Sequence, residues 1–142
     1  MPARFYEQNI SSKLTHKRKL SAFLDMFLNK HIKKLKKIDV AYVFCDDAYL
    51  HQMNKEFLSH DTFTDIITFD LSANNYELEA EIYISIERVK ENAAAYEVSY
   101  IEELHRVIFH GALHLCGYKD KTATDKKKMR AMEEKCLKEY NQ

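Results

Sequence analysis

His110 and His114 stand four residues apart, and Asp120 follows six residues after the second of them. On a helix, side chains at i and i+4 lie on one face a turn apart, so two imidazoles at that spacing can grip one metal ion. Asp120 can add a carboxylate oxygen to the same ion once the chain turns back. Three protein ligands with one open position describe a catalytic zinc site, whereas structural zinc normally takes four. One divalent ion is therefore expected, with zinc the first choice. The spacing also suits two partly buried histidines bonded to backbone or carboxylates, and alone it leaves both readings open.

The element that must carry this chemistry runs from Ser99 to about Cys116 and reads as one helix. Ile101, Leu104, Ile108, Ala112 and Leu115 fall on one stripe facing the core, with the histidines on another face. Cys116 is assigned to the core. Gly111, between the histidines, removes a side chain beside the site, at a helical cost of about 0.8–1 kcal/mol relative to alanine. Gly117 falls where a left-handed residue would end the helix. These are the two glycines of the chain, against roughly ten at average composition. A zinc peptidase of the H-E-x-x-H type needs a glutamate where Gly111 stands, which argues against that class. Glu103 lies two turns upstream of His110, about 10.5 Å along the axis, and suits support of the site or pairing with Arg106. No side chain stands out as general acid; His60 is a candidate, with a plain surface residue as the simpler reading.

Around that helix the chain alternates strand and helix signals without a repeat or a linker. A helix is expected from about Ser11 to Lys37, capped by Ser11 or Ser12. Ile38 to Phe44 reads as a buried strand. A short helix capped by Asp46 or Asp47 runs to about Phe57, followed by a polar turn at Ser59-His60-Asp61. Strands follow at Thr64–Phe69 and Glu81–Ile86, joined by a polar link at 72–76 that suits a hairpin. Helices are expected from Glu87 to Tyr96 and from Thr124 to Tyr140, with an edge strand near Arg4-Phe5-Tyr6. The order implies a single α+β domain over 1–142, with several helices packed on one small sheet.

The 142 residues are 46% apolar and 31% charged, which excludes disorder and fibrous rods. No apolar run can span a bilayer, and Cys45, Cys116 and Cys136 form an odd, unpatterned set. A cytoplasmic protein with free thiols and no membrane partner is expected. The net charge of zero hides an asymmetry: +7 over residues 1–40, −10 over 41–118 and +3 over 119–142. Lys33, Lys34, Lys36 and Lys37 crowd one stretch, either as a solvated helix face or as a footprint for a polyanion such as RNA.

The segment His110-Gly111-Ala112-Leu113-His114-Leu115-Cys116-Gly117-Tyr118 resembles the H-G-x-L-H-L-x-G-Y-D-H signature of the YbeY family of bacterial metal-dependent endoribonucleases. Thr64-Asp65-Ile66-Ile67-Thr68-Phe69 resembles that family's P-T-D-V-L-S-F strand, and Glu81-Ile82-Tyr83-Ile84-Ser85 its G-D-I-x-I-S strand. Three departures stand out. Lys119-Asp120 replaces the closing D-H, so a carboxylate takes the place of the usual third histidine. Leu58 falls where the family carries an arginine thought to act on substrate phosphate. Phe63 replaces the proline before Thr64.

The resemblance implies an α+β domain with helices around a small mixed sheet, single-strand-specific RNA cleavage, and a part in 16S rRNA 3′-end maturation and ribosome quality control. It also implies contact with rRNA, a ribosomal subunit or a ribosomal protein. The expected chemistry is metal-assisted phosphodiester hydrolysis, the ion polarising a phosphoryl oxygen and acidifying a water. The alternative is a non-catalytic rRNA-binding assembly factor whose metal merely holds the 110–120 turn.

Overall fold

Four strands make one mixed sheet in the computed structural model, which describes residues 1–59 and 63–142. The elements run β1 (Ala3–Glu7), α1 (Lys17–His31), β2 (Lys37–Cys45), α2 (Asp47–Leu58), β3 (Ile66–Asp70), β4 (Glu77–Ser85), α3 (Ile86–Ala95), α4 (Tyr100–Leu115) and α5 (Ala123–Tyr140). The sheet order is β1-β2-β4-β3. β1, β2 and β4 are parallel, while β3 closes a hairpin antiparallel to β4. His60 and most of the turn expected at 59–61 lie outside the described residues. None of the described helices is long and apolar enough to cross a membrane.

Alternation along the strands divides the core into two layers. Val40, Tyr42 and Phe44 of β2 and Ala80, Ile82 and Ile84 of β4 point to one face, where they join the main core with α1, α4 and α5. Cys45, Leu50 and Ile67 form a smaller cluster on the other face, with Met53, Phe69 and Tyr83 packed against it.

The α+β class and the order of elements follow the expectation; α1 does not. Ser12 is buried and donates to Glu7 through both its amide and its hydroxyl, at 2.6 and 2.8 Å, while the Tyr100 hydroxyl donates to the Ser12 carbonyl. With Ser12 committed to β1, the helix starts only at Lys17, after His16 in left-handed conformation (φ 55°). It ends at His31 rather than Lys37: Ile32 is already extended (φ −117°, ψ 110°), and Lys34 (φ 68°) then turns the chain toward β2. Lys33, Lys34 and Lys36 therefore sit on an exposed turn, and Lys37 opens β2.

α4 is buried on nearly all sides rather than along one stripe. Glu103 through Phe109 and Gly111 through Leu113 are all buried, while Ile101, expected in the core, is exposed. The cause is its central place: α1, α3, α5 and β3 all pack on it. An enclosed helix needs an apolar surface all round, here supplied in part by Phe109 against Phe23 and Tyr140, with ring centroids 5.3 and 5.8 Å away.

Gly111 is explained by packing rather than by room at the metal site. A Cβ there would lie 3.0 and 3.1 Å from Ile82 and 3.2 Å from Ile66, so the missing side chain lets α4 settle on the sheet.

Candidate metal centre

His110 and His114 project from the last two turns of α4, their ring centroids 4.7 Å apart. A Schellman turn follows. The Tyr118 amide donates to the Leu113 carbonyl and the Gly117 amide to the His114 carbonyl, both at 3.0 Å, with Gly117 at φ +99°. This turn sends residues 118–122 back toward the helix and brings Asp120 to the histidines. One ligand-type atom from each of His110, His114 and Asp120 lies within 4.8 Å of the others. The separation of His110 Nε2 from Asp120 Oδ2 is 3.7 Å.

That donor set fits a divalent ion. Zinc bonds of about 2.0–2.2 Å in tetrahedral geometry place two ligand atoms roughly 3.4 Å apart, close to the observed separation. Asp120 is the adjustable member, its side chain 40% exposed on the turn. The His110 ring is fixed from behind: Nδ1 lies 2.7 Å from Oε2 of Glu133, leaving Nε2 to face the set. A carboxylate behind a ligating histidine is a recurrent support in metal sites, setting the tautomer and raising ligand basicity. His114 is bonded to the backbone of Tyr118 within the turn.

Electrostatics favours a cation here. Burial alone would lower the pKa of His110, yet the Glu133 hydrogen bond and the carboxylates of Glu133, Asp120 and Asp65 raise it overall. Burial and the neighbouring His110 lower that of His114. Burial raises the Asp65 carboxyl above its usual range, against the pull of His110. Asp65 is tied to β4 by the bond from the Ser85 amide to its carbonyl, and its carboxylate accepts from Asn92 at 3.4 Å.

Beneath the site Arg106 is buried among carboxylates. It approaches Glu134 at 2.7 Å, Glu103 at 3.4 Å and Glu133 at 3.6 Å. The expected pairing of Glu103 with Arg106 is present, and Glu103, 3% exposed, has its pKa raised by burial. Cys116 packs against the core as expected. A cleft of about 540 Å³ opens over the set, with Asp65 on one wall and α5 on the other.

Glu133 is the member of the candidate site that sequence reasoning missed. The clue was its place on the buried stripe of α5, between Met129 and Leu137 at helical spacing, where a charged residue needs a partner. The lysine cluster, by contrast, is not brought to the site. Lys37 pairs with Glu77 at one end of the sheet, whereas Ile66 beside Asp65 pairs with Ile84. The intervening length of β4 is roughly 23 Å at 3.3 Å per residue.

The chain is similar to known proteins over nearly its whole length. The family model described as Endoribonuclease YbeY matches residues 5–141. The Endoribonuclease YbeY of Cytophaga hutchinsonii is 44% identical over 133 residues, spanning 94% of this chain and 92% of that protein. That of Christiangramia forsetii is 53% identical over 96 residues, 68% of this chain and 66% of that protein. Among solved structures, the solution structure of TM1509 from Thermotoga maritima superposes with a TM-score of 0.63 at 26% identity, over 97% of this chain and 88% of that one.

Proposed function

Because this chain belongs to the YbeY endoribonuclease family, we propose that it is a metal-dependent endoribonuclease that cuts single-stranded RNA at the centre formed by His110, His114 and Asp120. The observation that carries the reading is the convergence of these three side chains at the mouth of one cleft, with Glu133 orienting His110 from behind. Zinc is the ion proposed, since two imidazoles and a carboxylate form a donor set that it accepts. When bound, such an ion supplies Lewis acidity toward a phosphoryl oxygen and lowers the pKa of water.

The chain's own residues do the rest. With an ion bound, His110 and His114 would each offer it a neutral ring nitrogen, while Glu133 holds the proton on His110 Nδ1. Asp120 contributes a negative charge that a third histidine would lack, leaving less net positive charge at the centre. Asp65, on the opposite wall, is placed to accept a hydrogen bond from a group entering the cleft. The physiological substrate proposed is the 3′ end of 16S rRNA, in ribosome maturation and quality control in the cytoplasm.

The test is cleavage of a single-stranded RNA by the purified protein, with chelator and after return of zinc, beside His114→Ala. Cleavage lost in chelator and in the variant, and restored by zinc in the wild type alone, supports the reading. Equal cleavage by wild type and His114→Ala overturns it. RNA binding without cleavage under all conditions would instead mark a non-catalytic assembly factor.

A further inference from the structure

The cleft over the metal-ligand set is rich in negative charge, with Asp65, Glu103, Asp120 and Glu133 among the residues that line it. Its lining cations are Arg106, Lys126 and Arg130. Arg106 is buried and engaged by glutamates. Lys126 and Arg130 are exposed and stand four residues apart on α5, so both project from one face of that helix about 6 Å apart along its axis.

Arg130 is held in place. Its guanidinium carbon lies 5.6 Å from the Tyr96 ring centroid, and Nη1 lies 3.7 Å from Oε1 of Glu133, the carboxylate that also holds His110. Lys126 has no ion pair among the described residues. The groove on the other side of His114, lined by Asn54, Leu58 and the β3 side chains, adds no lysine or arginine among the described residues. A polyanion approaching the histidines therefore meets accessible positive charge on the α5 wall.

We infer that Lys126 and Arg130 form a phosphate clamp that takes successive backbone phosphates of a single-stranded RNA and lays the strand across His110 and His114. The inference rests on the RNA reading above and adds the side from which the strand is gripped. Arg130 offers a planar fork suited to a phosphate, pre-positioned by Tyr96. Lys126 acts as a mobile point charge one turn away. Glu133 joins clamp and metal centre, since it contacts both Arg130 and His110.

The experiment measures binding of a short oligouridylate to the metal-loaded full chain on ice, as a function of salt, with a gel confirming that the oligonucleotide stays intact. For single strands the slope of log affinity against log salt is about −0.7 per neutralised phosphate. Lys126→Gln with Arg130→Gln should make it shallower by about 1.4, with metal content and circular dichroism unchanged. Arg130→Lys, which keeps the charge, should keep most of the slope, and Lys127→Gln should leave it as in the wild type. An unchanged slope in the double variant overturns the clamp, most directly if glutamine at Lys33, Lys34, Lys36 and Lys37 flattens it instead. A wild type with no salt-dependent binding would overturn the RNA reading itself, which separates the two failures.

Discussion

Nδ1 of His110 and Oε2 of Glu133 lie 2.7 Å apart, although the two residues are 23 positions apart on different helices. The bond ties α4 to α5 and leaves His110 one nitrogen for an ion. Glu133→Gln should keep the shape of the side chain but lose the charge, and should lower zinc affinity by about 10–100-fold. Competition against a zinc-binding dye reads this directly. An affinity equal to that of the wild type would show that the carboxylate only fills space.

Asp120 is the least buried of the three candidate ligands. Asp120→Ala should weaken zinc binding. Asp120→His should retain the metal and keep or raise RNA cleavage, because zinc accepts imidazole as readily as carboxylate and a neutral ligand leaves more charge on the ion. The measurement is metal content together with cleavage rate. If Asp120→Ala binds zinc as tightly as the wild type, Asp120 is not a ligand.

Gly111→Ala tests the packing of α4 on the sheet. Alanine gains about 0.8–1 kcal/mol in helix propensity, but its Cβ would press on Ile82, which is fully buried, and on Ile66. Overpacking of a core costs about 1–3 kcal/mol, so a net loss of about 1 kcal/mol is expected in urea unfolding. A more stable variant would show that the sheet yields at this point.

His105 gives the fold an acid-sensitive component on the side of α4 that faces Tyr140. It is buried against Tyr140 and Phe109, and burial, followed by Lys19 and His16, lowers its pKa from the ordinary 6.5. The unfolded chain then binds more protons than the native one as pH falls below 6.5, so stability is lost through that window and is fully present above it. His105→Phe should flatten the fall in unfolding free energy between neutral pH and about pH 5. An identical pH profile in the variant would assign the fall to other groups.

Periodicity and end signals alone were enough to place most elements. Ser99 caps α4 and Asp46 caps α2 through bonds from the amides three residues on, and Gly117 ends α4 at positive φ. These are local effects, set by side chains within a turn of the backbone they bond. The pairing of His110 with His114 was legible for the same reason, since helical spacing alone puts them on one face.

What local pattern could not show were contacts between residues far apart in the chain. The start of α1 moved because Glu7 takes Ser12, and Gly111 proved to serve Ile82 and Ile66 on the sheet. Sequence alone determined the helix, its two histidines and the turn that follows them. Only the tertiary structure decided that Glu133 stands behind His110, that Lys126 and Arg130 rather than the 33–37 lysines face the cleft, and that α4 is enclosed. Those facts depend on how α4, α5 and the sheet pack, and burial, not spacing, selects which distant charge becomes a partner.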